Sequence, residues 1–354
     1  MWHTIRRHGV QLLLISAGLG LLWLTLRAAS LASVVRVLGR LSVGSLLLLV
    51  VVNLLAIAVF TLRWWILLLG QGYRIPFHQL VSYRLASFGV SYFTPGPHFG
   101  GEPLQVYLVV QRHGVPTAAA IGAVTMDKIL EMLANFTFLG IGLSIVLQNR
   151  VLSNQVGAQA VVYALLLLSI PTVLLFALWT GRHPLSALLN LTPVRWSGPT
   201  LRRWQATLVG SEEEIAHLCR TRPGIVVAAL AVSLASWIAI IGEYWLMATL
   251  LGVRLTLVQA VSALVAARIA ILLPMPAGLG TLEASQVLAM NLLGESAAAG
   301  GAIGLLIRAR DVCFGLLGLW IGGVDIWASA RMTGDESHEH DLPDEQSAAT
   351  GPHA

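Results

Sequence analysis

The chain has 354 residues, of which 56% are hydrophobic and only 11% charged, and its net charge is +5 at pH 7. A soluble domain carries roughly a quarter charged residues, so composition excludes an ordinary soluble protein. Several apolar runs exceed the ~20 residues that a spanning helix needs, whereas a membrane barrel shows ~10-residue alternating segments. The expected fold class is therefore an all-α polytopic membrane protein. Lys and Arg number 22 against 17 Asp and Glu, and the acidic share is concentrated in the C-terminal tail. This basic excess suits anionic head groups, but it is also the ordinary positive-inside pattern of cytoplasmic loops. Cys219 and Cys313 cannot build a disulfide framework and lack metal-ligand spacing.

Taken in order, Arg6, Arg7 and His8 precede an apolar run from Val10 to Leu26. Small residues follow at Ala28 and Ala29, as at a signal-peptide cleavage site. The run is long for a signal peptide and Arg27 adjoins that site, so an uncleaved first span is expected. Residues 27–42, with Arg27, Arg36 and Arg40, read as an amphipathic surface segment. A second span covers Val43 to Leu69. Pro76 opens a shorter apolar segment to Phe93, and another short one runs from Glu102 to Val110. Neither is long enough to cross the ~30 Å hydrocarbon layer, which predicts a re-entrant or broken helix pair. A long helix is expected from Pro116 to Leu147, and a further span from Gly157 to Trp179, kinked at Pro171.

Residues 181–222 form the polar connection, carrying Arg182, Arg195, Arg202, Arg203, Arg220 and Arg222. Gly210 predicts a helix end, and Ser211-Glu212-Glu213-Glu214 a capping box that starts another helix. The next span is expected from Gly224 to Leu251, a second half-helix pair over Thr256–Leu273 and Gly280–Leu293, and a last span from Ala297 to Ala328. From Asp335 onward the acidic, His-rich composition predicts disorder.

The two half-helix pairs match. Each lies around a Pro/Gly-rich break that ends on a glutamate: Pro95 through Gly100-Gly101-Glu102, and Pro276-Ala277-Gly278-Leu279-Gly280-Thr281-Leu282-Glu283. Leu69-Gly70 precedes the first pair as Leu251-Gly252 precedes the second. Gln79-Leu80-Val81-Ser82 aligns with Gln259-Ala260-Val261-Ser262. The domain organisation expected is thus a span and linker (1–42), a membrane repeat (43–148), a span and basic loop (149–223), a second repeat (224–330) and a tail (331–354). Re-entrant pairs make the repeats inverted. Charge bias then predicts six full spans with both termini cytoplasmic, in an inner or plasma membrane, although the arginines of residues 27–42 fall on the wrong side.

Ionisable residues inside a membrane are costly unless paired or facing water. Asp127, Glu131 and Asn135 form one helical stripe, with Lys128 placed to pair with Glu131. Gly300, Gly304, Arg308, Asp311, Gly315, Gly318, Gly322 and Asp325 share one face of the last span. Its small residues allow close helix contact, which turns Arg308 and Asp311 inward, whereas Arg310 lies elsewhere on the helix. Arg63 and Glu243 occupy corresponding points of the two leading spans, and Arg63 is also placed to snorkel from a helix end. Arg84 and Arg268 lie on the first half-helix of each pair. Two readings of this set stay open: buried ion pairs that hold helices together, or a polar cavity. The same holds for Glu102 and Glu283. A carboxylate is favourable in a helix's first turn, yet such a group can also exchange a proton or meet a cationic head group. Helix starts at Gly100-Gly101 and Gly278–Gly280, with Arg84, Lys128, Arg268 and Arg308, would together suit a phosphate. No metalloprotease, hydrolase or nucleotide-loop motif occurs, so neither catalysis nor a cofactor is expected, and no nucleic-acid partner.

At the Pro95–Glu102 break, at Asp127-Lys128-Ile129-Leu130-Glu131 and at Pro276–Glu283 the chain resembles the flippase-like transmembrane domain of the lysylphosphatidylglycerol synthase family. The resemblance extends over about residues 10 to 330. Where that family has a basic residue before Gly-Glu this chain has His98 and Phe99, and where it has Glu-Arg this chain has Asp127-Lys128. The resemblance implies lipid movement between leaflets, or a supporting role beside a lipid-modifying or glycosyl-transfer enzyme in envelope assembly. No stretch here matches the soluble aminoacyl-transferase domain, so lysyl transfer is not implied.

Overall fold

The computed structural model describes Trp23 and residues 31–94, 100–148, 154–191, 199–273, 275 and 278–339. The expected first span, Pro95 and Pro276 lie outside these residues. Every described element is helical: α1 (Leu31–Leu38), α2 (Val43–Gly70), α3 (Phe77–Phe93), α4 (Glu102–His113), α5 (Thr117–Gln148), α6 (Asn154–Trp179), α7 (Pro184–Leu191), α8 (Pro199–Thr221), α9 (Pro223–Leu250), α10 (Leu257–Leu272), α11 (Thr281–Leu292) and α12 (Ala297–Glu339). Among the described residues, four helices are long and apolar enough to cross a membrane: α2, α5, α9 and, over Gln159–Trp179, α6. Exposed leucines and valines on α2 and α6, such as Leu47, Leu55, Leu166 and Val173, have the chemistry of a lipid-facing surface. The protein is a multi-pass membrane protein.

The half-helices fold back on themselves. At ~1.5 Å per residue, the 17 residues of α3 and 12 of α4 reach only about 26 and 18 Å. Their contacts are antiparallel. The Gly101 amide donates to Ser91 Oγ at 2.9 Å, Gln105 Nε2 to Ser87 Oγ at 2.9 Å, and Tyr83 Oη meets His113 Nε2 at 3.2 Å. The second hairpin is built alike. Thr281 Oγ1 donates to the Ala270 carbonyl and Gln286 Nε2 to that of Ala263, both at 3.3 Å.

The leading helices α2 and α9 pack on one another and run antiparallel, which a reciprocal pair of arginines makes visible. Arg40, just before α2, donates to the Leu251 carbonyl at the end of α9 (3.3 Å); Arg222, just before α9, donates to the Gly70 carbonyl at the end of α2 (3.1 Å). The last carbonyls of a helix lack intrahelical partners and carry partial negative charge, so a cation there is favourable. This places Arg40 in a structural role. Both helices also end alike. The indole N–H of Trp65 donates to the Ile75 carbonyl at 3.0 Å and that of Trp245 to Leu255 at 2.7 Å, ten residues on in each case. The chain then leaves through Gly72 (φ +96°) and Gly252 (φ +81°), a left-handed conformation that a side chain would strain.

Helix α5 runs through the middle. Its early residues Ala119–Val124 pack with α2, α3 and α4; Met126, Ile129 and Leu130 pack with α2, α6, α8 and α9; Leu139 and Leu143 pack with α9, α10 and α11. The glycines of α12 form the expected contact seam. Gly300 and Gly304 meet Gln286, Val287 and Glu283 of α11, while Gly315, Gly318 and Gly322 lie against α3. The side chain of Asp325 is outside the described set.

Two local expectations are corrected. Helix α8 passes through Gly210 without a break, and Ser211 Oγ donates back to the Leu208 carbonyl instead of capping a new helix. Glu212 is buried and turned to α7, where it accepts the Leu185 amide at 2.6 Å and the Ser186 hydroxyl. An adjacent helix start thus satisfies it better than its own chain does. At the other end, α12 continues through Glu339, into the stretch expected to be disordered.

Candidate functional site

The charged residues gather into two groups, one around each hairpin. In the first, Arg63 of α2 is 1% exposed and does not snorkel. It donates to Asp127 at 2.6 Å, to Glu131 at 3.1 Å and to Ser233 of α9 at 3.2 Å. Arg84 of α3 reaches the same Asp127 at 2.9 Å and the Phe60 carbonyl at 2.8 Å. Asp127, itself 1% exposed, thus serves two guanidinium groups. Lys128 pairs with Glu131 at 3.3 Å, as its spacing predicts, and with Glu102 at 3.1 Å.

In the second group Glu283, at the start of α11, pairs with Arg308 of α12, which also reaches Tyr92 Oη at 3.4 Å and the Gly278 carbonyl at 3.0 Å. Glu243 of α9 pairs with Arg310, whose other partner is Asp311 at 2.8 Å. Arg268 lies over the face of Trp237 at 4.8 Å, and Trp237 stacks on Phe138 at 3.7 Å. An aromatic face stabilises a cation that has been stripped of water.

The break glutamates cap their helices and are ion-paired as well. The Gly100 amide donates to Glu102 at 2.9 Å and the Gly280 amide to Glu283 at 3.0 Å, so each carboxylate caps its helix. Each also bonds a base on the following long helix. The bland role does not exhaust them.

The predicted residues therefore sort as Arg84, Glu102, Asp127, Lys128 and Glu131 in one group, and Glu243, Arg268, Glu283, Arg308 and Asp311 in the other. Of the four bases expected to suit a phosphate, Arg84, Lys128 and Arg308 are paired with carboxylates and Arg268 lies over Trp237. Arg84 and Lys128 belong to the first group and Arg308 to the second, and each of these three holds a carboxylate, because an unpaired charge at this depth is costlier than a paired one. Arg310 lies off the glycine face, as expected, yet its guanidinium reaches Glu243 and joins the second group. The signal that finds it is Glu243, a carboxylate on a leading helix that requires a cation opposite. Tyr92, Ser233 and Trp237 carry no signal of their own, since each looks like filler in an apolar helix.

The first group is the more open. Side-chain exposure is 43% for Glu131, 25% for Lys128 and 20% for Glu102, so a cation and two carboxylates are reachable from outside the packed core. Among the described residues no cluster of His, Cys, Asp and Glu has the arrangement of a metal site.

The sequence profile described as the lysylphosphatidylglycerol synthase TM region matches residues 10–318. A UPF0104 membrane protein of Methanothermobacter thermautotrophicus is 21% identical over 270 residues, covering 74% of this chain and 79% of that protein.

Proposed function

The chain belongs to the family of the lysylphosphatidylglycerol synthase TM region, and from that premise we propose that it moves an anionic or isoprenoid-type lipid between leaflets through a mid-membrane polar cavity. One observation carries the reading: each hairpin restarts on a glutamate ion-paired to a base on the next long helix, Glu102 with Lys128 and Glu283 with Arg308. Ion pairs at membrane depth are expensive and contribute little net stability. A translocator gives them a use. When a pair opens, the base receives a lipid phosphate while the carboxylate takes up a proton, and closing the pair releases both. We read the two halves as inverted repeats. The antiparallel α2 and α9, the reciprocal Arg40 and Arg222 caps and the matched Trp65 and Trp245 bonds support this. We place the protein in the inner or plasma membrane with both termini cytoplasmic, and regard it as a transporter without catalytic chemistry.

In proteoliposomes, the purified protein is expected to exchange fluorescent anionic phospholipid between leaflets faster than empty liposomes do, and Glu102→Gln or Glu283→Gln to abolish the gain. Exchange at the empty-liposome rate for phosphatidylglycerol, cardiolipin and polyprenyl phosphate probes alike would defeat the proposal. The repeats are tested apart from transport. In a background free of Cys219 and Cys313, Arg74→Cys and Thr117→Cys should label from one side of the membrane, and Arg254→Cys and Ser296→Cys from the other. Labelling of all four from one side removes the inversion.

A second reading, an accessory subunit for a lipid-modifying or glycosyl-transfer enzyme, is favoured by the charge balance of the first group. There Arg63, Arg84 and Lys128 face Glu102, Asp127 and Glu131, as a static scaffold would have them. Co-purification of such an enzyme, with the glutamate variants still functional, selects it. A product formed by the purified protein alone would replace both readings with a membrane-embedded transferase.

A further inference from the structure

We propose that the groove between α5, α10 and α11 holds one hydrocarbon chain of a membrane lipid. The groove encloses about 350 Å³ and is lined by Leu143 and Val146 of α5, Val265 and Ile269 of α10, and Ser285 and Leu288 of α11. That volume lies within the ~300–1,000 Å³ typical of small-molecule sites. A protein partner instead needs a patch of roughly 800 Å² on each side.

The chemistry of the wall selects the occupant. Its hydroxyls are all spent within the chain. Ser262 donates to the Val258 carbonyl at 2.8 Å, Ser285 to that of Leu282 at 2.7 Å, and Thr281 to that of Gly278 at 3.1 Å. No hydroxyl proton on the wall is left to donate to a head-group phosphate, and a water needs two or more polar partners. The lining residues Ile269, Leu273 and Leu292 are exposed and apolar, so in a bilayer the medium against the opening is hydrocarbon. A void without partner atoms forfeits dispersion contacts along its whole lining, and a flexible alkyl chain restores them at no desolvation cost. The groove extends from Leu273 and Thr281 at the break to Leu292 and Leu293 at the far end of α11. Its break end adjoins Gly278, which accepts from Arg308 at 3.0 Å, so the head group of the same lipid would lie beside the second charged group. Against α3 of the first hairpin there is no such room, because α12 closes that face through Gly89, Gly315 and Gly318. Among the described residues, the groove at the second hairpin therefore has no counterpart against α3. It depends on occupancy of the resting protein and not on lipid exchange.

The test reconstitutes the full chain in liposomes with phosphatidylcholine carrying a photoreactive diazirine on one acyl chain, and maps adducts by peptide mass spectrometry. Peptides of α10 and α11 are expected to carry about tenfold more label than lipid-exposed α6, equivalent to ~1.4 kcal/mol of preferential occupancy. The groove-filling variants Ala266→Leu and Ser285→Leu should lose that enrichment, whereas a phosphatidylglycerol probe with the same chain should keep it. The wild-type map stands even if a filled variant folds poorly. Label spread evenly over α6, α10 and α11 overturns the proposal. So does enrichment that survives both variants, enrichment with one head group only, or crosslinks between two copies of the chain in place of lipid adducts.

Discussion

The two hairpin regions each join a leading helix to a long later helix by an ion pair, with the signs reversed between them, and they pack differently. On the leading helix the first half carries Arg63 and the second Glu243; on the long last helix the first answers with Asp127 and the second with Arg310. What the arrangement requires is a neutral pair at that depth, because desolvation penalises either charge alone. Which helix carries which sign is free. Packing differs more. Helix α3 approaches α12 until backbone nearly touches backbone: a Cβ on Gly89 would come within 2.5 Å of the Gly315 carbonyl. The equivalent approach of α10 to α5 brings Gly142 against a methyl of Val265 and leaves the groove beside it. Close contact at one hairpin and room at the other arise from the glycine seam that α12 presents to α3 and that the contact of α5 with α10 lacks.

The sharpest way to break the comparison is to remove an acid from each half. Asp127→Ala leaves Arg84 without its carboxylate and Arg63 with Glu131 alone, and is expected to cost about 3–5 kcal/mol, the usual penalty for breaking a buried pair. Thermal unfolding in detergent measures it. Glu243→Ala should cost less, since Arg310 keeps Asp311 at 2.8 Å. Equal losses would show that the second group is no better compensated than the first.

The next largest effect tests the seam. Gly318→Leu drives a side chain into the Leu85 backbone and is expected to cost about 1–3 kcal/mol or more from overpacking. Gly142→Leu meets only a side chain next to open space and should cost less. The midpoint of unfolding for the two variants, compared at matched detergent, decides.

The smallest effect concerns what the halves share. Arg40→Ala and Arg222→Ala each remove one cation from a helix end and should cost similar amounts, about 0.3–1 kcal/mol. A large difference between them would mean that the reciprocal caps are not equivalent.

Much of the fold was legible in the sequence. The helix bounds from Val43 to Gln148 and from Pro223 to Leu292 follow the apolar runs to within a few residues, and both hairpins follow from segments too short to span. The errors have a common cause. Ser211–Glu214 reads locally as a helix start, yet Glu212 is taken by the amides of α7, a competitor distant in sequence. Arg310 lies off the glycine face of α12, but a long guanidinium reaches beyond its own face to Glu243.

The sequence by itself determined which stretches are apolar enough to enter a membrane, where helices break and that a glutamate stands in the first turn after each break. Hydrophobicity, proline and glycine act through local chemistry, and so they can be read along the chain. Tertiary structure alone decided who pairs with whom: that Asp127 answers two arginines, that Lys128 and Arg308 bind the break glutamates, and that one hairpin is sealed while the other leaves a groove. Those outcomes depend on which helices come within reach of a side chain, and packing sets that distance.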